Sequence, residues 1–399
     1  MEKIRVLVEK YREQVTAHRH WFHQHPETSG QEKNTAAYIA AALREMGLEP
    51  TENVGGYGIT AVIEGTGEGK CVGLRADIDA LEITENTGAP FASRNSGVMH
   101  ACGHDTHAAM LLGAAYVLNE LKDRFNGSVK LIFQPSEENA AASGARAMIA
   151  DGCLENPRVD AIFGQHIWPE LPLGKIGLRE SDMHAASDRF FITVHGKSSH
   201  GGASPQNGVD AIVIAAQIIS TLQTIVSRNV APQQGCVVSI GTIHGGTRYN
   251  IVADTVQLEG TCRNLDPAMR ATMGERIRRI ASGVAESMGG SCEVDYRLCY
   301  GVTHNTPETF AMMKEAGAKA LGEENVVVPE KATLAGEDFS YYCDAIPCGF
   351  AWLGCKEGDG PVVPLHNNCF LPSDEALLYG MRFMVSSALT YLGWQEQTL

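Results

Sequence analysis

The nine residues Met99-His100-Ala101-Cys102-Gly103-His104-Asp105-Thr106-His107 crowd three imidazoles, a thiol and a carboxylate into one short stretch. Such groups are costly to desolvate side by side, so a fold that gathers them needs something bound there. Cys102 and His104 flank Gly103, which permits the tight bend that aims a sulfur and a ring nitrogen at one cation. The apolar run Ala108 to Ala115 reads as a helix, so the cluster is expected where a loop enters a buried helix of a layered α/β protein. A lone histidine is more often a satisfied core group. Cys-x-His with Asp105 and His107 beside it favours a metal, and because one cluster supplies too few ligands, others are expected downstream.

Apolar runs that read as strands bring further candidates to their ends. Cys71 to Asp77 delivers Asp77 and Asp79, and Val129 to Pro135 runs into Ser136-Glu137-Glu138-Asn139. Neighbouring side chains there diverge, so one glutamate can bind a metal while the other faces a reacting water. Asp160 to Gln165 leads to His166, and Val362 to Leu365, read as another strand, leads to His366. Together Cys102, His104, Glu138, His166 and His366 exceed what one tetrahedral zinc requires, which suggests two ions sharing a bridging ligand. Asp77 and Asp105 are expected to orient these ligands from behind.

Upstream, Ile4 to His23 has helical spacing and stops at His25-Pro26-Glu27, and Ser29-Gly30-Gln31-Glu32 has the pattern of a capping box before a helix from Thr35 to Met46. Both helices read as structural. From about Asp188 the character changes: strand 190–194, loop 197–202, helix 209–226, strands 237–243 and 255–263, helix 269–288 and strand 292–298. Ligand candidates lie on both sides of this stretch, so it reads as an insertion. The expected division is residues 1–186 and 300–399 for a catalytic domain and 187–299 for the insert. The expected fold class is α/β, a mixed sheet flanked by helices on both faces, with an inserted α+β lid and dimerisation domain.

A formal charge of −15, from 47 acidic against 32 basic residues, argues against nucleic acid or an anionic membrane surface as partner. Eleven cysteines without disulfide-like spacing, and a first segment without an apolar leader, make a reducing cytoplasm the expected compartment. No apolar run reads as long enough to span a bilayer.

Taken in order, His25-Pro26-Glu27, Leu74-Arg75-Ala76-Asp77, Met99 to Asp105, Gln134-Pro135-Ser136-Glu137-Glu138, Ser199-His200, Gly336-Glu337-Asp338-Phe339 and Leu365-His366-Asn367 resemble the dinuclear metal amidohydrolases. That family includes hippurate hydrolase and the indole-acetyl-amino-acid hydrolases and, more distantly, aminoacylase and carboxypeptidase G; the resemblance covers essentially the whole chain. The wider family's His-x-Asp motif is matched here by Arg75-Ala76-Asp77, without the His, a change the hippurate-hydrolase branch shares. The resemblance implies Cys102, His104, Glu138, His166 and His366 as ligands, with Cys102 bridging, and Glu137 as general base toward a water shared by two divalent ions. It further implies His200 as a donor to the oxyanion, reaching the site from a partner subunit, and Asn250 and Arg263 as holders of a substrate carboxylate. Manganese or zinc is expected, with cobalt or nickel also suited to the donor set, and a homodimer through the insert. The expected reaction is hydrolysis of the amide of an N-acyl-L-amino acid, hippurate-like, N-acetyl or aryl-acyl, to a carboxylic acid and a free amino acid. N-acetyl-diaminopimelate deacetylation and small-peptide cleavage are alternatives of the same class. A non-catalytic metal or thiol sensor built on Cys102 is the alternative outside it, and the Glu137-Glu138 pair speaks against that, since a sensor needs no general base.

Overall fold

The computed structural model describes residues 1–394, so the last five residues of the expected 300–399 segment lie outside the described residues. The chain forms two compact units, one of Met1–Met183, His304–Lys331 and the chain from Asp338 onward, the other of His184–Thr303 with Ala332–Glu337.

The first unit begins with helices α1 (Glu2–Lys10), α2 (Arg12–Gln24) and α3 (Lys33–Glu45) and strands β1 (Thr51–Val54), β2 (Gly58–Glu64) and β3 (Cys71–Asp77). Then come α4 (His104–Leu121), β4 (Ser128–Gln134), α5 (Gly144–Ala150), β5 (Ala161–Pro172), β6 (Ile176–Gly177) and a short β7 (Ser181–His184). The second unit holds β8 (Ala186–His195), α6 (Ala211–Thr224), β9 (Cys236–Gly245), β10 (Thr255–Asn264), α7 (Pro267–Ser287) and β11 (Ser291–Tyr300). The chain returns through β12 (Thr303–Asn305), α8 (Pro307–Leu321), β13 (Val326–Val327), α9 (Ser340–Ala345), β14 (Cys348–Lys356) and α10 (Glu375–Tyr391).

Eight strands of the first unit form one sheet in the order β1-β2-β4-β3-β5-β14-β6-β13. Its centre, β4-β3-β5-β14, is parallel, while β2 and β6 run antiparallel to their neighbours β4 and β14. Side chains alternate between two cores: Val129, Leu131 and Phe133 of β4 face one and Ile132 the other, and Ala351 and Leu353 of β14 oppose Phe350 and Trp352. The first core is covered by α1 to α4, α8 and α10, the second by α5 and α9. This is the α/β arrangement with helices on both faces that the sequence led us to expect. Helix α4 is buried at every position except Asn119 and Glu120, and a Cβ on Gly113 would lie 2.7 Å from Met381 Sδ and 2.9 Å from Val15 Cγ2. The bare backbone there lets α2 and α10 close over it.

Several local expectations are corrected. The first helix breaks at Tyr11, whose ring stacks on Tyr116 at 4.8 Å. Residues 362–365 form a loop and not a strand, because Pro361 and Pro364 remove the donors a ladder needs. Strand β14 was not foreseen. Its Gly349 and Gly354, where a Cβ would meet Met313 Sδ at 2.2 Å and the Pro172 carbonyl oxygen at 2.0 Å, interrupt the apolar run that marks the other strands.

The second unit is a two-layer α+β structure, an antiparallel sheet β11-β8-β10-β9 with α6 and α7 packed on it. Its core joins Phe190, Ile192 and Val194 to Ile214, Ile218, Leu222 and Ile277. Ala211–Asn229 form a helical segment long and apolar enough, by length and composition, to cross a membrane, which corrects the expectation that no such run exists. Its buried side, Ala211, Ile214, Ala215, Ile218 and Leu222, is packed within its own unit.

Candidate active site

Strands β3 and β4 end at one edge of the sheet, where Asp77 pairs with Gln134, and β5 passes that edge with His166 two residues beyond the Arg75–Gly164 pair. The carboxyl edge of a parallel sheet is where loops can assemble a site on rigid supports. Helix α4 starts at the same edge. Gly103 caps it with φ 83°, and a Cβ there would lie 2.5 Å from Ile167 Cγ2, so only glycine lets Cys102 and His104 flank the turn.

Three of the resulting groups of donor atoms together contain the expected ligands. Those of Cys102, His104 and His166 lie within 4.8 Å of one another, as do those of Cys102, Glu138 and His366, and those of His104, Glu137 and Glu138. Cys102 Sγ is 3.4 Å from His166 Nε2, and Glu138 Oε1 is 3.1 Å from His366 Nε2. The structure therefore brings together all five expected ligands and Glu137.

The hydrogen bonds behind the imidazoles set their tautomers. His166 Nδ1 donates to the Ile167 carbonyl at 2.7 Å, and His104 Nδ1 donates to the Asp79 carbonyl at 3.0 Å and to Asp79 Oδ1 at 3.2 Å. In its neutral form each ring turns an Nε2 lone pair toward the donor cluster. His104 Nε2 is buried with no hydrogen-bond partner among the described residues. Burial would lower the His104 imidazole, yet the Asp77 and Asp79 carboxylates outweigh it and raise it to about 10. Burial first, and then the Glu138, Glu137 and Asp77 carboxylates, push the Cys102 thiol well above its ordinary range. Both shifts express an excess of negative charge that divalent ions would neutralise by displacing the two protons, so the donor set fits metal. They also weigh against a thiol sensor, which needs an accessible, low-pKa cysteine. His366 reaches the cluster with φ 62°, an uncommon conformation for a non-glycine residue, and its N–H donates to the Ala101 carbonyl at 2.8 Å.

Glu137 is buried and accepts from the Asp338 N–H at 3.4 Å. Asp338 is in turn held by Arg75 Nη2 at 2.8 Å, Gln134 Nε2 at 2.7 Å and Ser143 Oγ at 2.9 Å. Arg75, standing in the motif that lacks the His, also grips Asp77 Oδ2 at 2.8 Å. Asp77 accepts from His107 Nδ1 at 2.5 Å, and His107 Nε2 accepts from the Ile167 N–H at 2.9 Å. Both nitrogens of His107 are thus engaged, so it braces the site and offers no lone pair.

Two expectations are corrected. Asp105 bonds His23 Nδ1 at 2.8 Å and Arg19 Nε at 3.3 Å and is not hydrogen-bonded to a ligand ring, because successive helical residues point about 100° apart and His104 already faces the cluster. Asp79 holds the ligand ring instead. Nor do Ser29 and Glu32 close a capping box: Ser29 Oγ donates to Asp79 Oδ2 at 2.6 Å, and Glu32 accepts from Ser136.

His200, Asn250 and Arg263 all lie in the second unit. His200 Nδ1 accepts from the N–H groups of Gly202 at 3.2 Å and Ala203 at 3.0 Å, so the ring proton sits on Nε2. The backbone carbonyl of Asn250 accepts from Gly201 N at 2.9 Å, while its Oδ1 has no partner among the described residues. Arg263, on β10, hydrogen-bonds Thr261 Oγ1.

The profile of peptidase family M20/M25/M40 matches residues 73–390, a span that contains all of these donors. The chain belongs to this family. As an M20/M25/M40 protein it is a hydrolase, and its relatives align along nearly all of it. It is 38% identical over 385 residues to the N-acetyl-L-cysteine deacetylase of Bacillus subtilis strain 168, covering 96% of this chain and 90% of that protein. To thermostable carboxypeptidase 1 of Saccharolobus solfataricus it is 39% identical over 383 residues, 95% of this chain and 96% of that one. Among solved structures, the YXEP protein of Bacillus subtilis, described as a dinuclear metal binding peptidase of the M20 family, superposes with TM-score 0.84 at 35% identity over 97% of this chain and 100% of that chain.

Proposed function

We propose that this M20-family hydrolase cleaves the amide of N-acyl-L-amino acids that carry a free carboxylate, releasing a carboxylic acid and the amino acid. The observation that carries the reading is the convergence of Cys102, His104, Glu138, His166 and His366 with Glu137 beside them. The two relatives named above act on one bond type, since a carboxypeptidase substrate is an N-acyl amino acid whose acyl group is a peptide.

Cys102, His104, Glu138, His166 and His366 would hold two divalent ions, manganese or zinc. Such ions acidify water and polarise the scissile carbonyl. Glu137 accepts the proton of the attacking water on its carboxylate and delivers it to the leaving nitrogen. His200, protonated on Nε2, donates to the oxygen on which charge develops. Asn250 and Arg263 fix the substrate carboxylate, Arg263 through its forked donors. The second unit, expected at 187–299, serves as lid and dimerisation element. Support for pairing comes from β9, an edge strand, and from the exposed Ile212, Val213 and Ile243.

The test uses metal-stripped protein reloaded with manganese or zinc and offered hippurate, N-acetyl-cysteine, N-acetyl-methionine and N-acetyl-diaminopimelate. Metal-dependent release of a free amino acid is expected. Glu137→Gln should bind metal normally and lose roughly 10²- to 10⁴-fold in kcat. Undiminished turnover in that variant would remove Glu137 from its role.

A further inference from the structure

The glutamate pair follows a strained residue. Ser136 has φ 55° and is buried, and its carbonyl accepts from Gly144 N at 3.2 Å. A serine persists in the left-handed region only where its surroundings over-determine it. The partner that does so comes from the loop before α3: Glu32 Oε1 accepts from Ser136 N at 2.8 Å and from Ser136 Oγ at 3.2 Å. Two residues on, Glu138 N donates to Asp79 Oδ2 at 3.0 Å. The N–H groups of the two residues that flank Glu137, Ser136 and Glu138, are therefore tied to carboxylates from two other segments.

We propose that Glu32 is a positioning residue: by holding Ser136 in its left-handed turn it sets the directions in which Glu137 and Glu138 leave the chain. The inference rests on the roles given to those two residues above. Glu32 touches neither the donor cluster nor solvent; it is fully buried, and Oε2 has no hydrogen-bond partner among the described residues. Burial, and then the neighbouring Asp79, push its carboxyl up to about 7. What the turn takes from Glu32 is an acceptor oxygen at the reach of its side chain, and not its charge.

Glu32→Gln, Glu32→Asp and Glu32→Ala would be compared with wild type and Glu137→Gln for kcat, KM, manganese affinity of the stripped protein and thermal midpoint. Glutamine keeps the acceptor at the same reach, so kcat and metal affinity near wild type are expected, with a midpoint no lower. Aspartate is one methylene short and alanine has no acceptor. Both should lose roughly 10- to 100-fold in kcat and in metal affinity at temperatures where they are folded, with KM little changed. If alanine does not fold, the contrast between aspartate and glutamine decides. Aspartate or alanine variants that lower only the midpoint, or a glutamine variant as impaired as alanine, would overturn the proposal. An active Glu137→Gln variant would instead sink the reading of the site, so the two failures are told apart.

Discussion

A histidine offers one nitrogen to a metal when the other is occupied, and at His104 the occupant is Asp79, by both backbone and side chain. Asp79→Ala keeps the backbone acceptor but frees the ring to turn, and it also releases Ser29 Oγ and Glu138 N. Isothermal titration of the stripped protein should show metal affinity lower by about 10- to 100-fold. A variant that binds metal as wild type would deny Asp79 this role. The donors themselves were legible in the sequence, since Cys-Gly-His and Glu-Glu are unusual where strands end. Asp79 was legible as a candidate at the end of β3 but not as the support of His104, because beyond the strand's end alternation no longer tells which way a side chain points.

At the scale of elements, the helices on the first core are joined by more than apolar contact. His18 of α2 lies between Tyr38 of α3, with Nδ1 2.9 Å from its hydroxyl, and Tyr116 of α4, with Nε2 3.2 Å from the other. Burial lowers the His18 imidazole from 6.5 to about 4. The sign follows: the folded state disfavours the imidazolium, so this stability is full above pH 6.5 and is lost as pH falls toward 4. Over that window wild type should lose about 3 kcal/mol that His18→Gln does not lose. Urea melts at pH 7 and pH 4.5 measure the difference; equal acid sensitivity of the two proteins would refute it. Helical spacing predicted these segments as helices, but which of their polar side chains meet was decided by the packing of α2, α3 and α4 on one another.

At the scale of the whole molecule the prediction concerns assembly. Strand β9 is an edge of its sheet, Ile243 on it is 50% exposed, and Ile212 and Val213 of α6 are 46% and 51% exposed. A second copy seated there would explain why so apolar a helix is buried on one side only. Sedimentation of the wild type should give a dimer, and Ile243→Lys a monomer of unchanged thermal midpoint at low concentration. If His200 acts across the pair, that monomer should also lose kcat. A wild type that sediments as a monomer would remove the dimer from the account.

The sequence by itself determined most of the kinds of element (though not β14), the interruption of one α/β unit by an α+β one, and the candidate donor atoms. Those depend on local periods, on turn residues and on the rarity of clustered thiol, imidazole and carboxylate groups. Only the tertiary structure decided which carboxylate stands behind which ligand, that Asp105 serves Arg19 and His23, and that Glu32 braces Ser136 from 104 residues away. Such pairings depend on side-chain direction at the ends of elements, where neither the strand nor the helix period applies and each buried polar group takes the partner that packing brings within reach.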